Sequence, residues 1–184
     1  MTNLKLQPIA LDPAVGGLLT NIKHGDAAAR SVAVNQSPLA GTSAILPLGK
    51  VYGGADPAAS KAAGDAIYKI VHNASRPGAA AERDSAAQQL IQLIGGEQPR
   101  QVRADALKLL GFVGGPGQVS AVAELLHVPD VREDARLALE RIPDPSAEAA
   151  LKSAARTVPE EYRPALDQSL RHRKMKPRDA GTKR

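Results

Sequence analysis

Apolar residues recur along the chain at the three- and four-residue spacing of an α-helix. The two clearest runs follow the dipeptides Val102-Arg103 and Val131-Arg132. The apolar positions after them are Ala106, Leu109, Leu110 and Val113 in the first run, and Ala135, Ala138, Leu139 and Ile142 in the second. Each set falls at i, i+3, i+4 and i+7, which is one stripe of a helix. We therefore predict two amphipathic helices whose stripes are buried, with a core that includes Ala106, Leu110, Ala135, Leu139 and Ile142.

The same pattern recurs more weakly in other parts of the chain. Equivalent anchor positions are Arg30, Ser60, Arg103, Arg132 and Arg163, which are 30, 43, 29 and 31 residues apart. The one long interval indicates an insertion around residues 73–78, where Pro77-Gly78 breaks the helix. Apolar stripes between the anchors predict partner helices, so the chain divides into helix pairs at 13–37, 40–75, 79–113, 117–142 and 145–173.

A single helix pair cannot bury its apolar stripe, so repeated pairs have to stack. Composition favours the same architecture, because aromatic residues make up only 2% of the chain and small alanine side chains are abundant. No segment shows the alternation of apolar and polar residues typical of a strand. We predict an all-α fold, an α-solenoid of about five antiparallel helix pairs similar to HEAT or armadillo superhelices.

Local signals mark several helix ends. Asp12-Pro13, Asp56-Pro57 and Asp144-Pro145 place Asp at the N-cap and Pro in the first turn. Asp130 with Glu133 resembles a capping box. The glycine pairs at 53–54, 95–96 and 114–115 stand at helix exits, where we expect a left-handed residue. Around Pro164 two alternatives stay open: the last helix starts near it, or the first turn is distorted.

The positive charge of the chain lies near one end of the sequence. After residue 170, seven basic residues stand against Asp179 and contribute +6, so the remainder of a chain of net charge +5 carries −1. We divide the chain into an N-terminal extension (1–12), a helical region (13–173) and a basic C-terminal tail (174–184). The tail is either simply solvated, or docks on an acidic partner or nucleic acid, or touches an anionic membrane.

No residue pattern indicates catalysis. Cysteine is absent, and none of the four histidines is spaced from another histidine or a carboxylate as metal ligands are. The Gly-rich segment 111–117 follows a predicted helix instead of a strand and lacks the Lys of a phosphate loop. We predict no catalytic residue, no metal, no cofactor and no small-molecule substrate. No apolar run of about 18 residues and no secretory signal is visible, so we expect a cytoplasmic protein without a membrane span.

The motif Val-Arg-x-Asp-Ala with trailing Leu and Gly, at Val102 and in the form Val-Arg-Glu-Asp-Ala at Val131, resembles HEAT repeats. It is most similar to the short, roughly 30-residue variety found in phycobilisome lyase-type proteins. The resemblance is good over residues 79–173 and weaker over 13–75. It implies a concave surface for partners, and repeat arginines that tie neighbouring helices together through a nearby Asp. The di-iron hydroxylases of this fold need His-Glu pairs, and this chain has no His-Glu dipeptide.

Repeat proteins of this kind mostly bind other macromolecules, so we predict a non-catalytic scaffold with a protein partner. The second helix of each pair is expected to line the binding face. Candidate contacts on that face are Arg103, Arg132 and Arg163. The alternative is a nucleic-acid-associated protein that uses the basic end of the chain, through Arg171, Arg173, Lys174, Lys176 and Arg178.

Overall fold

The computed structural model describes residues 12–95 and 97–175, and within these residues it contains ten α-helices and no strand. The helices are α1 (Pro13–His24), α2 (Ala27–Gln36), α3 (Ile45–Tyr52), α4 (Pro57–Ala74), α5 (Ala80–Gly95), α6 (Arg100–Val113), α7 (Pro116–Glu124), α8 (Arg132–Arg141), α9 (Pro145–Ala154) and α10 (Arg163–Met175). Short 3-10 turns cover Ser37–Ala40, Thr42–Ala44, Leu125–His127 and Glu160–Tyr162. The predicted all-helical class is confirmed.

The helices pack in pairs and in two rows. Each of the predicted segments contains two consecutive helices that contact each other. The odd-numbered helices also contact one another in succession from α1 to α9, and the even-numbered helices do so from α2 to α10. The apolar stripes meet between the rows in one cluster that runs from Val15 to Leu166. Every helix therefore buries its stripe against its own partner and against the next pair.

Aspartate side chains begin four of the helices. Asp12, Asp56 and Asp144 accept hydrogen bonds of 2.8, 2.9 and 2.9 Å from the backbone N–H groups two residues further on, as predicted. Asp26 caps α2 in the same way with a 2.8 Å bond from the Ala29 N–H. These carboxylates satisfy backbone donors that the first turn leaves free.

The predicted capping box at α8 is wrong. The N-cap of α8 is Val131, and no side chain caps this helix. Asp130 instead faces Arg103, and Glu133 binds Arg136 within the first turn. Both carboxylates are drawn into ion pairs because arginine side chains are within reach in the folded chain, and an ionised partner makes the stronger hydrogen bond.

The left-handed helix exits predicted at the glycine pairs are not found at Gly53 and Gly114, whose φ angles are −85° and −66°. Among the described residues, positive φ occurs only at Gly41 and Gly78. Gly114 is required by space instead, because a Cβ there would lie 2.7 Å from the carbonyl oxygen of Leu110. Its missing side chain also leaves room for the side chain of Ile142, which would lie 3.1 Å from that Cβ.

Proline and glycine end α4 as predicted, but they do not by themselves account for the long anchor interval. Helix α4 stops at Ala74, and Gly78 turns the chain with φ of 84°. Helices α4 and α5 are also long, with 18 and 16 residues. At the other end of the chain, α10 begins at Arg163, so Pro164 lies in a first turn, where its missing N–H costs nothing.

The predicted core is confirmed, since Ala106, Leu110, Ala135, Leu139 and Ile142 are at most 2% exposed. We expect Leu139→Ala to lower the free energy of unfolding by about 2–5 kcal/mol, because it leaves a cavity in the apolar core beside α8. Urea unfolding measures the change. Leu39→Ala is the matched control, since Leu39 is 83% exposed and its truncation should change stability by less than about 0.5 kcal/mol. Equal effects of the two substitutions would contradict the packing.

Candidate functional site

The anchor arginines hold the ends of the helices that precede them. Their guanidinium Nε atoms donate to main-chain carbonyls: Arg30 to Ile22 (3.0 Å), Arg103 to Ile94 (3.3 Å) and Arg132 to Leu126 (2.8 Å). Ser60 occupies the equivalent anchor position on α4, and its hydroxyl donates to the Tyr52 carbonyl at the end of α3. The last carbonyls of a helix have no partner within it, so these side chains satisfy them.

Two of these arginines also reach the next helix pair. Arg30 lies 3.2 Å from Asp56 at the start of α4, and Arg103 lies 3.6 Å from Asp130 just before α8. The guanidinium of Arg132 instead lies over the ring of Tyr162, 5.2 Å from its centre. Arg103 and Arg132, both predicted to contact a partner, therefore each make one hydrogen bond through Nε and one further guanidinium contact within the chain.

The other predicted contact residues are dispersed. Arg163 begins α10, and its side chain is exposed. Arg171 and Lys174 are exposed on the last turns of the same helix, which continues into the predicted tail as far as Met175. Lys176 and Arg178 lie outside the described residues.

Arg173 has a structural role that was not predicted from its position among the basic residues near the end of the sequence. Its NH1 group donates to the carbonyls of Leu139 (2.6 Å) and Ile142 (2.7 Å), and its NH2 group donates to the carbonyl of Asp144 (2.7 Å). These carbonyls surround the C-terminal end of α8. Burial lowers the pKa of this guanidinium. Arg173 thus ties α10 to the end of α8 in the way the anchor arginines tie other helices.

Arg136 is a charged residue of the interior that the sequence analysis missed. Its side chain is only 8% exposed and lies between Glu133 and Glu140, the second at 3.2 Å. It also donates to the hydroxyl of Ser169 on α10. The hydrogen bond from Arg136 lowers the pKa of Glu133, and the pKa of Arg136 is raised by the same bond. The signal available in the sequence was the pair of glutamates at i−3 and i+4.

An open groove lies between α4 and α6, which are the second helices of neighbouring pairs. It encloses about 530 Å³, and its apolar walls include Ile67, Leu93, Val102 and Leu109. A smaller depression of about 50 Å³, lined by residues that include Tyr68, His72, Leu109 and Phe112, adjoins it. The two share Tyr68 and Leu109, so they form one groove along the even-numbered row. Helices α4 and α6 contact each other less than the other successive pairs in this row do.

Aromatic side chains are concentrated in this groove. The chain has three tyrosines and one phenylalanine, and Tyr52, Tyr68 and Phe112 all line the groove. Tyr68 and Phe112 are 53% and 57% exposed at its outer end. Tyr52 forms the inner end, where Gly64 leaves room for its ring: a Cβ at that glycine would lie 3.1 Å from it.

The hydroxyl of Tyr52 donates to the carboxylate of Asp105, which also accepts a 2.8 Å bond from the Gln101 amide. Burial raises the pKa of Tyr52 to about 12, and the hydrogen bond to Asp105 adds to the shift. Because the pKa rises above its ordinary value of 10.0, the neutral phenol stabilises the fold fully below pH 10. That stabilisation is lost as the pH rises towards 12.

The charged groups of the groove differ in what they contact. Asp65 pairs with Lys61 at 2.5 Å, and Asp105 accepts from Tyr52 and Gln101. Within the part of the chain that the structure describes, Lys108 and Arg141 form no ion pair. The guanidinium of Arg141 lies over the Phe112 ring, 5.9 Å from its centre. The carboxylates are therefore satisfied, whereas two cations beside Phe112 are not.

Among residues 12–95 and 97–175, no three His, Asp or Glu side chains converge as a metal site would require. Over the same residues, no helix is both long and apolar enough to cross a bilayer.

The groove is an apolar trough with an aromatic outer end and a few polar groups at its rim. The sequence pattern predicted that the second helix of each pair lines one face, but it gave no indication that Tyr52, Tyr68 and Phe112 lie together.

Neither a protein-family model nor a curated protein matches this chain.

We expect Arg173→Ala to lower the free energy of unfolding by about 1–3 kcal/mol, because several carbonyls at the end of α8 lose their donor. Arg171→Ala removes the same charge from an exposed position of α10 and should cost less than about 0.5 kcal/mol. Urea unfolding of both variants measures the difference. Indistinguishable stabilities would mean that Arg173 does not hold α8.

We expect Asp105→Asn to lower the pKa of Tyr52 from about 12 towards 10, because the phenol loses a charged acceptor. Tyrosinate absorbance after a rapid pH jump, in a Tyr68→Phe and Tyr162→Phe background, reports on Tyr52 alone. Asp65→Asn is the control and should shift this pKa less, since Asp65 acts only from a distance. A pKa unaffected by Asp105→Asn would exclude the hydrogen bond.

Proposed function

We propose that the chain is a HEAT-like α-solenoid. Three observations support the proposal: helices packed in pairs, two rows in which each helix contacts the next, and repeated ties from an anchor side chain to the end of the preceding helix. The Arg30–Asp56 and Arg103–Asp130 pairs are the kind of link that the resemblance to HEAT repeats implies. In such a stack each pair contacts only its neighbours, and one row of helices forms an extended surface.

We further propose that this solenoid is a non-catalytic scaffold that binds a protein partner in the groove between α4 and α6. The observation that carries the proposal is the gathering of three of the four aromatic side chains there, two of them more than half exposed. Exposed aromatic residues around an apolar trough are typical of the energetic centre of a protein interface. The groove volume, about 530 Å³, is sufficient for the side chains of a docked segment.

The groove fits a protein segment better than a nucleic acid strand. Two carboxylates, Asp65 and Asp105, line the groove together with two lysines, so its lining has no excess of positive charge along which a phosphate backbone could lie. The alternative of nucleic-acid binding through the basic end of the chain remains as a second proposal, supported by the exposed cations Arg171 and Lys174. Arg173 contributes little to it, because its guanidinium binds carbonyls of α8 and the following turn.

A display library of random peptides, selected on the immobilised full-length chain, tests the groove. We expect Tyr68→Ala with Phe112→Ala to weaken binding of the selected peptides at least about tenfold, as for aromatic hot spots. Val32→Ala with Leu39→Ala is the matched control, because these residues are 53% and 83% exposed on another part of the surface. Fluorescence anisotropy of the synthesised peptides gives the dissociation constants.

Peptides that bind all variants equally, or a selection that yields none, would count against the groove. Labelled single-stranded and duplex DNA, titrated at two salt concentrations, addresses the second proposal. Counterion release would make log affinity fall with log salt by about 0.9 per phosphate contacted. Truncation after Met175 is the informative deletion, since it leaves Arg173 in place. Tight, salt-dependent DNA binding that this truncation weakens, and that Arg171→Ala with Lys174→Ala weakens further, would favour the nucleic-acid alternative.

A further inference from the structure

The outer end of the groove carries positive charge that the chain itself does not neutralise. Lys108 precedes Phe112 by four residues on α6, so both side chains lie on the same face of the helix. Arg141 reaches Phe112 from α8, with its guanidinium over the ring. No carboxylate pairs with Lys108 or Arg141 within the residues that the structure describes. Phe112 is therefore flanked by two cations that are free to bind an anion.

The arrangement of the helices keeps these cations in place. Arg141 packs along α6 at Gly111, where an added Cβ would lie 3.1 Å from the Cδ atom of Arg141. This glycine lets the arginine lie against the helix and extend towards Phe112. A guanidinium on an aromatic ring retains its N–H groups at the ring edge for a carboxylate.

The negative groups that line the groove already have donors, and one of them, Asp105, lies only three residues before Lys108 on α6. Asp105 accepts from Tyr52 and Gln101, and Asp65 accepts from Lys61. The groove thus combines carboxylates that have hydrogen-bond donors with two cations, Lys108 and Arg141, that have no carboxylate partner among the described residues. A ligand with negative charge beside an apolar anchor complements this pattern.

We propose that the partner segment is acidic and amphipathic. It places a large apolar side chain between Tyr68 and Phe112 and directs flanking carboxylates to Lys108 and Arg141. This inference rests on the proposed function of the groove and adds the chemistry of the segment. The trough supplies apolar contact area, and the two cations select against basic segments, since like charges facing each other at an interface are strongly disfavoured.

Two synthetic peptides test the charge preference on the full-length protein. Both have the same leucine and phenylalanine positions, with glutamate at the flanking positions in one and lysine in the other. We expect the acidic peptide to bind about tenfold more tightly or better by fluorescence anisotropy, because two favourable pairs replace two repulsive ones. Its affinity should fall as salt rises, since these cations are near the surface.

Charge reversal by Lys108→Glu with Arg141→Glu should invert the preference between the two peptides. Lys108→Glu alone should reduce the preference for the acidic peptide. Because Lys108 is exposed, this variant keeps the test valid if replacing Arg141 disturbs the fold. Lys23→Glu with Arg156→Glu is the matched control, because it changes the net charge equally at exposed positions outside the groove. Equal binding of the two peptides, or equal effects of the two double reversals, would overturn the inference.

These experiments also distinguish the acidic character of the segment from the proposed function of the groove as a protein-binding site. Library peptides that lose binding with Tyr68→Ala and Phe112→Ala, yet show no enrichment of acidic residues, would refute the acidic segment and leave the groove as a protein-binding site. A single-stranded DNA that competes with the acidic peptide and depends on Phe112 would overturn both. Enrichment of acidic residues around an apolar anchor, lost on Lys108→Glu, is the supporting result.

Discussion

The unpaired carbonyl groups at helix ends are the constraint on which the stacking of this chain depends. Each helix leaves its last carbonyls without a partner, and ends that are buried between pairs cannot rely on water. Side chains from the next helix supply the donors: Arg30, Ser60, Arg103 and Arg132 at the anchor positions, and Arg173 across two helices. The same polar requirement is thus met by a side chain of the following helix at four anchor positions.

The same requirement divides the cations of the chain into two groups. The anchor arginines and Arg173 are committed to carbonyls, and Arg136 is committed to glutamates in a partly buried cluster with Ser169. Breaking such a cluster by removing one partner is expected to be costly, because a charge would be left buried and unpaired. Lys108 and Arg141 have neither commitment, and the guanidinium of Arg141 lies over the exposed ring of Phe112.

The groove follows from a departure from regular packing. Helices α4 and α6 are joined through the long helix α5, and they contact each other less than the other successive helices of the even row do. The space between them is lined by the few large aromatic side chains of an otherwise aromatic-poor chain. A repeat that fits its neighbours less tightly is where a stack can expose apolar surface to a ligand.

The sequence by itself determined the helical class, the helix pairs, the Asp-initiated helix starts and the buried stripes around Leu139. Those features depend on neighbours within about one or two helical turns, so their spacing is visible along the chain. It did not reveal the hydrogen bond of Tyr52 to Asp105, 53 residues away, or that of Arg173 to Leu139, 34 residues away. It also placed Asp130 in a capping box and Gly114 in a left-handed exit, because the ion pair of Asp130 with Arg103 and the approach of Ile142 to Gly114 involve residues distant in the sequence. Only the tertiary structure shows which cations have partners within the chain, which aromatic side chains lie together and where the groove opens. These features depend on how whole helices pack.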